Sequence, residues 1–307
     1  MSIVTHTLAW IGARAGPCLA VGMVLALFVP SIPEAVLRLL LPITSALVLA
    51  VAFTRLDTAD VVHQWRDRRL RTLLLTLLAA MVPVGLLLTT FIARALNLDP
   101  TLALCLALFA AAPPIASGAA ICFMLGFDAA LALQLTVVST LLTPIMGPLC
   151  LVWIAGIELP VTPMTLFVSL AAIVGGGCLI GRIARRLIGE QWIAQHPKAL
   201  DGLAALAMIC FIVPMFADVT DTLFGRPLLS AFLLGLVFVL NLGVNLLVRA
   251  MSRQRLGDAV AGALGLMSGN RNLALYYASV PPDPVLGLFV ALYQVPMFLS
   301  PLLLTRR

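Results

Sequence analysis

Five polar or flexible residues, Ser268-Gly269-Asn270-Arg271-Asn272, interrupt a long apolar stretch near the end of this chain. Arg271 brings five N–H donors in a planar fork and a charge that is never lost, which suits recognition of a carboxylate or another flat anion. A guanidinium at the middle of a membrane costs from about 2.5–3.5 to more than 10 kcal/mol depending on the method, so the residue needs a partner or a function. Two asparagines within three residues favour side-chain-to-backbone bonds over a continuous helix. A second interruption reads Ala112-Pro113-Pro114-Ile115-Ala116-Ser117-Gly118. Pro113 and Pro114 cannot donate, so carbonyls near Phe109 and Ala110 lose their helical partners. A new half-helix starting at Ser117 and Gly118 presents free amides and a partial positive charge, a seat for an anion. The chemistry on offer is therefore anion binding without bond making. Two blander readings stand beside it: a proline kink held by packing, and a structural clasp joining Arg271 to carbonyls between Phe109 and Ala112 or to Asp128.

The elements that position these residues are membrane helices. The chain is 62% hydrophobic and 10% charged, which excludes an ordinary soluble domain. Apolar runs of about twenty residues, each able to cross about 30 Å of hydrocarbon, recur along it. Ten spans are expected, at about 8–29, 34–54, 70–95, 101–125, 129–155, 163–188, 199–219, 227–250, 256–280 and 283–305. The first is read as a retained helix, not a cleaved signal, because no basic cluster precedes it. Turns are expected at Pro30-Ser31-Ile32-Pro33 and at Pro281-Pro282-Asp283-Pro284.

Charge supports this count. Arg55, Arg66, Arg68, Arg69 and Arg71 follow span 2. Arg182, Arg185, Arg186 and Lys198 follow span 6, and Arg249, Arg253 and Arg255 follow span 8. With Arg14, Arg306 and Arg307, every basic residue except Arg38, Arg94, Arg226 and Arg271 falls on one side, as the positive-inside rule requires of cytoplasmic loops and termini. Trp10, Trp65, Trp153 and Trp192 fall near span ends. The two breaks lie 268 − 113 = 155 residues apart, about half the chain. Five spans per half reverse the entry side, so the expected fold is an all-α membrane protein with a five-plus-five inverted repeat. The repeats run over 1–157 and 158–307, and spans 4 and 9 are the broken pair.

Other candidate groups are few. Thr136, Ser139, Thr140 and Thr143 share a face of span 5, and Asn241 and Asn245 share a face of span 8. Thr44, Ser45 and Gln294 are the remaining polar residues picked out inside spans, and Tyr276 and Tyr277 are expected to mark the outer end of span 9. The six cysteines lie inside apolar runs with no metal spacing and read as packing residues. His6, His63 and His196 pair with nothing at catalytic spacing. The chain has no nucleophile elbow, zinc motif or phosphate loop, so neither an enzyme nor an ATP-driven pump is expected. The scattered arginines argue against nucleic acid as a partner.

At these residues the chain resembles the bile acid:sodium symporter family (BASS, or SBF-like). Ala112-Pro113-Pro114-Ile115-Ala116-Ser117-Gly118 is similar to that family's Pro-Gly-Gly-Thr-Ala-Ser-Asn, and Thr136-Val137-Val138-Ser139-Thr140-Leu141-Leu142-Thr143-Pro144 to its Thr-Val-Ser-Thr-Leu-x-(Ser/Thr)-Pro. Gly269-Asn270-Arg271-Asn272-Leu273-Ala274 falls where sodium-coupled members have Gln-Asn-Ser-Gly-Leu-Ala. The resemblance implies a secondary transporter of a small organic anion, bile-acid- or carboxylate-like, in the inner (plasma) membrane. It also implies a panel domain of spans 1, 2, 6 and 7 that rocks against a core of spans 3–5 and 8–10, with helices 4 and 9 crossing. Substrate would meet Pro113, Pro114, Ser117, Gly118, Asn241, Asn270, Arg271 and Asn272, and an ion would meet Ser117, Thr136, Ser139 and Asn270. The departures matter. Gly265, Gly269 and Gly118 stand where sodium-coupled members carry a glutamate, a glutamine and an asparagine, so few sodium ligands remain. Arg271 is expected to replace the ion, with no other cofactor or metal. A cation/proton antiporter, an arsenite-type exporter and a non-transporting membrane sensor are the alternatives. The expected partners are the bilayer and the anion; direction of transport and oligomeric state are left open.

Overall fold

A computed structural model describes residues 3–30, 32–56, 66, 68–156 and 158–304. Ser31, His63, Trp65, Arg306, Arg307, the side chain of Arg69 and the repeat boundary at 157 lie outside the described residues. The described residues are helical, and the one β-bridge among them joins two helix breaks.

The first expected span is two helices, α1 (Ile3–Ala13) and α2 (Ala15–Ala26), bent by 85°. Pro17 gives the reason: in a continuous helix its ring would meet the carbonyl of Ala13. Arg14 at the bend lies over the Trp10 ring, 4.7 Å from its centroid. α3 (Glu34–Arg55) packs on α8 (Pro163–Ile188), where Gly177 and Gly181 let the backbones touch. A Cβ at Gly181 would come within 2.6 Å of the Ala50 carbonyl. α10 (Pro197–Gly225) packs on α1, α2 and α3.

The other helices form a second set of contacts. α4 (Arg68–Ala95) packs on α5 (Pro100–Ala111), and α6 (Gly118–Met124) on α7 (Ala129–Leu149). A short helix, α9 (Glu190–Gln195), lies between α8 and α10. α11 (Pro227–Phe238) continues through a π-helical turn, Val239–Gly243, into α12 (Val244–Leu256). α12 packs on α13 (Asp258–Gly269). After a short α14 (Ala274–Tyr277), α15 (Pro284–Leu303) packs on α11 and α10. Asp128 and Asp283 cap α7 and α15 by accepting from backbone amides, Leu131 for the first and Val285 and Leu286 for the second.

Five described helices are long and apolar enough to cross a membrane: Glu34–Arg55, Ala129–Ile154, Pro163–Ile188, Pro197–Phe216 and Pro227–Leu256. The bent pair adds a sixth if it counts as one span. The surface of these helices is apolar, with Trp153, Leu187 and Leu228 each more than two-thirds exposed, as lipid and not water requires. The protein is an integral membrane protein. The segments carrying the two interruptions fall short of a full span because each is cut in its middle: α5 is followed by α6, and α13 by α14.

Candidate functional site

The two breaks meet. Pro114 and Arg271 pair as an antiparallel bridge, with the Ile115 amide donating to the Asn270 carbonyl at 3.0 Å and the Asn272 amide to the Pro113 carbonyl at 2.7 Å. Ala112, which precedes a proline, is extended (ψ 141°), and Asn270 is extended as well (ψ 95°). Each segment leaves its helix and offers as a strand the backbone groups the other lacks. In hydrocarbon an unpaired amide or carbonyl is costly, so one break stabilises the other.

Arg271 closes the junction. It is 6% exposed. Its Nε donates to the Ser268 carbonyl at 2.9 Å and its Nη1 to the Ala112 carbonyl at 3.0 Å. Ala112 ends α5 and Ser268 lies in the last turn of α13, so two helix C-termini face one guanidinium. Each terminus carries about half a negative charge, so the pair offsets much of the cation's unit charge without a carboxylate. Of the five guanidinium N–H groups, two are committed in this way, and the described residues supply no further acceptor.

A buried amide and hydroxyl network fixes the second break. The Tyr293 hydroxyl accepts from the Arg271 amide at 2.9 Å and donates to the Gly269 carbonyl. Asn241, in the π-helical turn, donates to the Gly269 carbonyl at 2.9 Å and to Asn270 Oδ1 at 3.1 Å. Ser300 donates to the same Asn270 oxygen at 3.0 Å, and Asn270 Nδ2 returns a bond to the Leu266 carbonyl at 3.2 Å. α13 comes this close only because its facing residues are glycines. A Cβ on Gly269 would sit 2.1 Å from the Asn241 carbonyl oxygen, and one on Gly265 would sit 2.6 Å from that of Asn245.

The expected site residues separate into three groups. Pro113, Pro114, Asn241, Asn270 and Arg271 come together at the junction, all buried. Asn272 is half-buried beside it, with its side-chain amide making no hydrogen bond to a described residue. Ser117 is exposed and does not cap α6. The Gly118 amide is used locally, donating to Ile115. The space a Gly118 side chain would take holds Met267, whose Cε would lie 2.2 Å from a Cβ there. Thr136 reaches the Met267 sulfur at 3.6 Å and the Ile115 carbonyl at 3.5 Å, Ser139 is half-buried, and Asn270 is engaged by Asn241 and Ser300.

One expectation narrows and two change. Arg271 meets the first break at Ala112, the far end of the Phe109–Ala112 range expected for a clasp, while Tyr276 and Asn272 take the Ala111 and Pro113 carbonyls along the extended strand. Asp128 caps α7 and does not serve Arg271. Tyr276 and Tyr277 do not mark a helix end at the surface. Both are fully buried, and Tyr276 donates to Ala111 at 3.3 Å. Sequence reasoning missed Tyr293, Ser300 and Met267. A tyrosine inside an apolar run was the available signal for the first, since a buried hydroxyl needs a partner.

A model of the sodium bile acid symporter family matches residues 58–226, more than half of the chain. The matched stretch contains the first break and ends before Arg271. No curated protein matches the chain.

Proposed function

The chain belongs to the sodium bile acid symporter family, and we propose that it is a secondary transporter of a small organic anion, working by alternating access at the Pro114–Arg271 junction. One observation carries this reading: a buried guanidinium, held by two helix ends, keeps donors uncommitted inside a membrane protein. The anion would take those N–H groups, with Asn272 beside them and Pro113, Pro114, Ser117 and Gly118 on the facing break. Asn241 and Asn270 would hold the backbone that presents them. The wider architecture proposed is ten spans in two inverted repeats, 1–157 and 158–307, with a panel of spans 1, 2, 6 and 7 moving against a core of spans 3–5 and 8–10. The contacts among α1, α2, α3, α8 and α10 support that grouping.

Transport is proposed to be independent of sodium. Arg271 brings a fixed charge to the helix C-termini, Met267 fills the space beside Gly118 and Thr136, and Gly265 has no room for a carboxylate side chain. Counterflow in proteoliposomes with a panel of radiolabelled carboxylates tests both claims. The expected result is saturable exchange that is the same in sodium and in N-methylglucamine and is lost in Arg271→Met. Strict sodium dependence would overturn the ion replacement, and exchange that survives R271M would overturn the site.

A further inference from the structure

We propose that the protein also binds an unbranched carboxylate, with a second polar group at its far end, in a cavity separate from the Pro114–Arg271 junction. The cavity has a volume of about 330 Å³ and lies between α4, α12 and α13. Its walls are Leu77, Met81, Val248, Met251 and Leu264. Leu256 and three polar residues complete the lining: Ser252, whose hydroxyl donates to the Val248 carbonyl, Arg255 and Ser268. Arg255 is exposed, in the last turn of α12. Its neighbours Arg249 and Arg253 lie 3.4 and 3.1 Å from the Asp258 carboxylate, while Arg255 makes no ion pair with a described residue. Ser268 is 2% exposed, and its hydroxyl has no hydrogen-bond partner although its carbonyl is held by Arg271.

An uncommitted cation at one end and an unsatisfied buried hydroxyl at the other define what fits. On α12 the lining runs from Val248 to Leu256, eight residues, so at 1.5 Å per residue the cavity extends about 12 Å along that helix. A volume of about 330 Å³ over that length gives a mean cross-section of about 28 Å². That width takes one extended alkyl chain and excludes a fused ring system. A phospholipid tail would bring a methyl group to the Ser268 hydroxyl and leave it unsatisfied. A chain ending in a hydroxyl satisfies it, while its carboxylate meets Arg255.

The test reads binding and not flux, so its failure leaves the carrier reading standing. The full chain in phosphatidylcholine nanodiscs is titrated calorimetrically with 12-hydroxydodecanoate, dodecanoate and cholate. Nanodiscs holding Val248→Trp, or empty ones if that variant does not fold, subtract partitioning into lipid. Saturable one-to-one binding is expected, strongest for 12-hydroxydodecanoate and absent for cholate. The exposed change Arg255→Gln should weaken both chain carboxylates at least tenfold, and Ser268→Ala should erase the advantage of the hydroxylated one. Binding unaltered by R255Q, cholate binding as tight as the chains, or no signal above the subtraction overturns the proposal. So does occupation by phosphatidylglycerol that the carboxylates cannot displace, which would assign the cavity to membrane lipid.

Discussion

Replacing Arg271 by methionine removes the charge while keeping a flexible apolar side chain in its place. The guanidinium satisfies two buried carbonyls, those of Ser268 and Ala112. Leaving each unpaired costs about 1–3 kcal/mol, or about 4 kcal/mol for the two. Against this, a buried arginine carries its own penalty of about 2.5–3.5 kcal/mol on the insertion scale, and R271M relieves it. The balance is a net loss of only about 1 kcal/mol, or a fall in Tm of about 2–4 °C. The effect on an anion is far larger. Losing a buried charged contact costs about 2–5 kcal/mol, which is a thirtyfold loss of affinity or more. Thermal unfolding of the purified variant and counterflow normalised to reconstituted protein therefore separate the two roles. A fall of more than about 10 °C would show that the clasp dominates and that the balance is wrong. Wild-type exchange by a folded R271M would refute the anion site outright.

Four further outcomes follow from the same geometry. Gly269→Ala pushes a methyl group into the Asn241 carbonyl and should destabilise the protein by about 1–3 kcal/mol or more, read as a lower Tm and poor yield. Asn241→Leu leaves the Gly269 carbonyl and Asn270 Oδ1 each one donor short. A loss of about 1–3 kcal/mol is expected by thermal unfolding. Tyr293→Phe removes the acceptor for the Arg271 amide and a donor to Gly269, and should lower stability by about 2–4 kcal/mol while Phe109 packing persists. Exchanging sodium for N-methylglucamine should leave exchange rates within about twofold, well under the tenfold that 1.4 kcal/mol of coupling would produce.

The parts of this fold that were legible in the sequence are those set by local chemistry. Apolar runs gave the helices, and Pro113-Pro114 and Gly269-Asn270-Arg271 gave their interruptions, because a missing amide or a competing side chain breaks a helix wherever it occurs. The bend at Arg14 was equally local, written in Pro17, yet continuous hydropathy hid it. Tyr276 shows the opposite case. Its sequence context suggested an interface, but its hydroxyl goes to Ala111, 165 residues away.

The residue order alone requires a membrane, two broken segments and a cation at one of the breaks. Each follows from the cost of putting a given residue into hydrocarbon or into a helix. The strand-to-strand pairing of the breaks, the carbonyls that hold Arg271, and the completion of the second break by Tyr293, Ser300 and Asn241 arise from packing across the molecule. Those partners come from helices far apart along the chain. Their meeting depends on how closely glycine faces let the helices approach, a property of packed surfaces that no local pattern encodes.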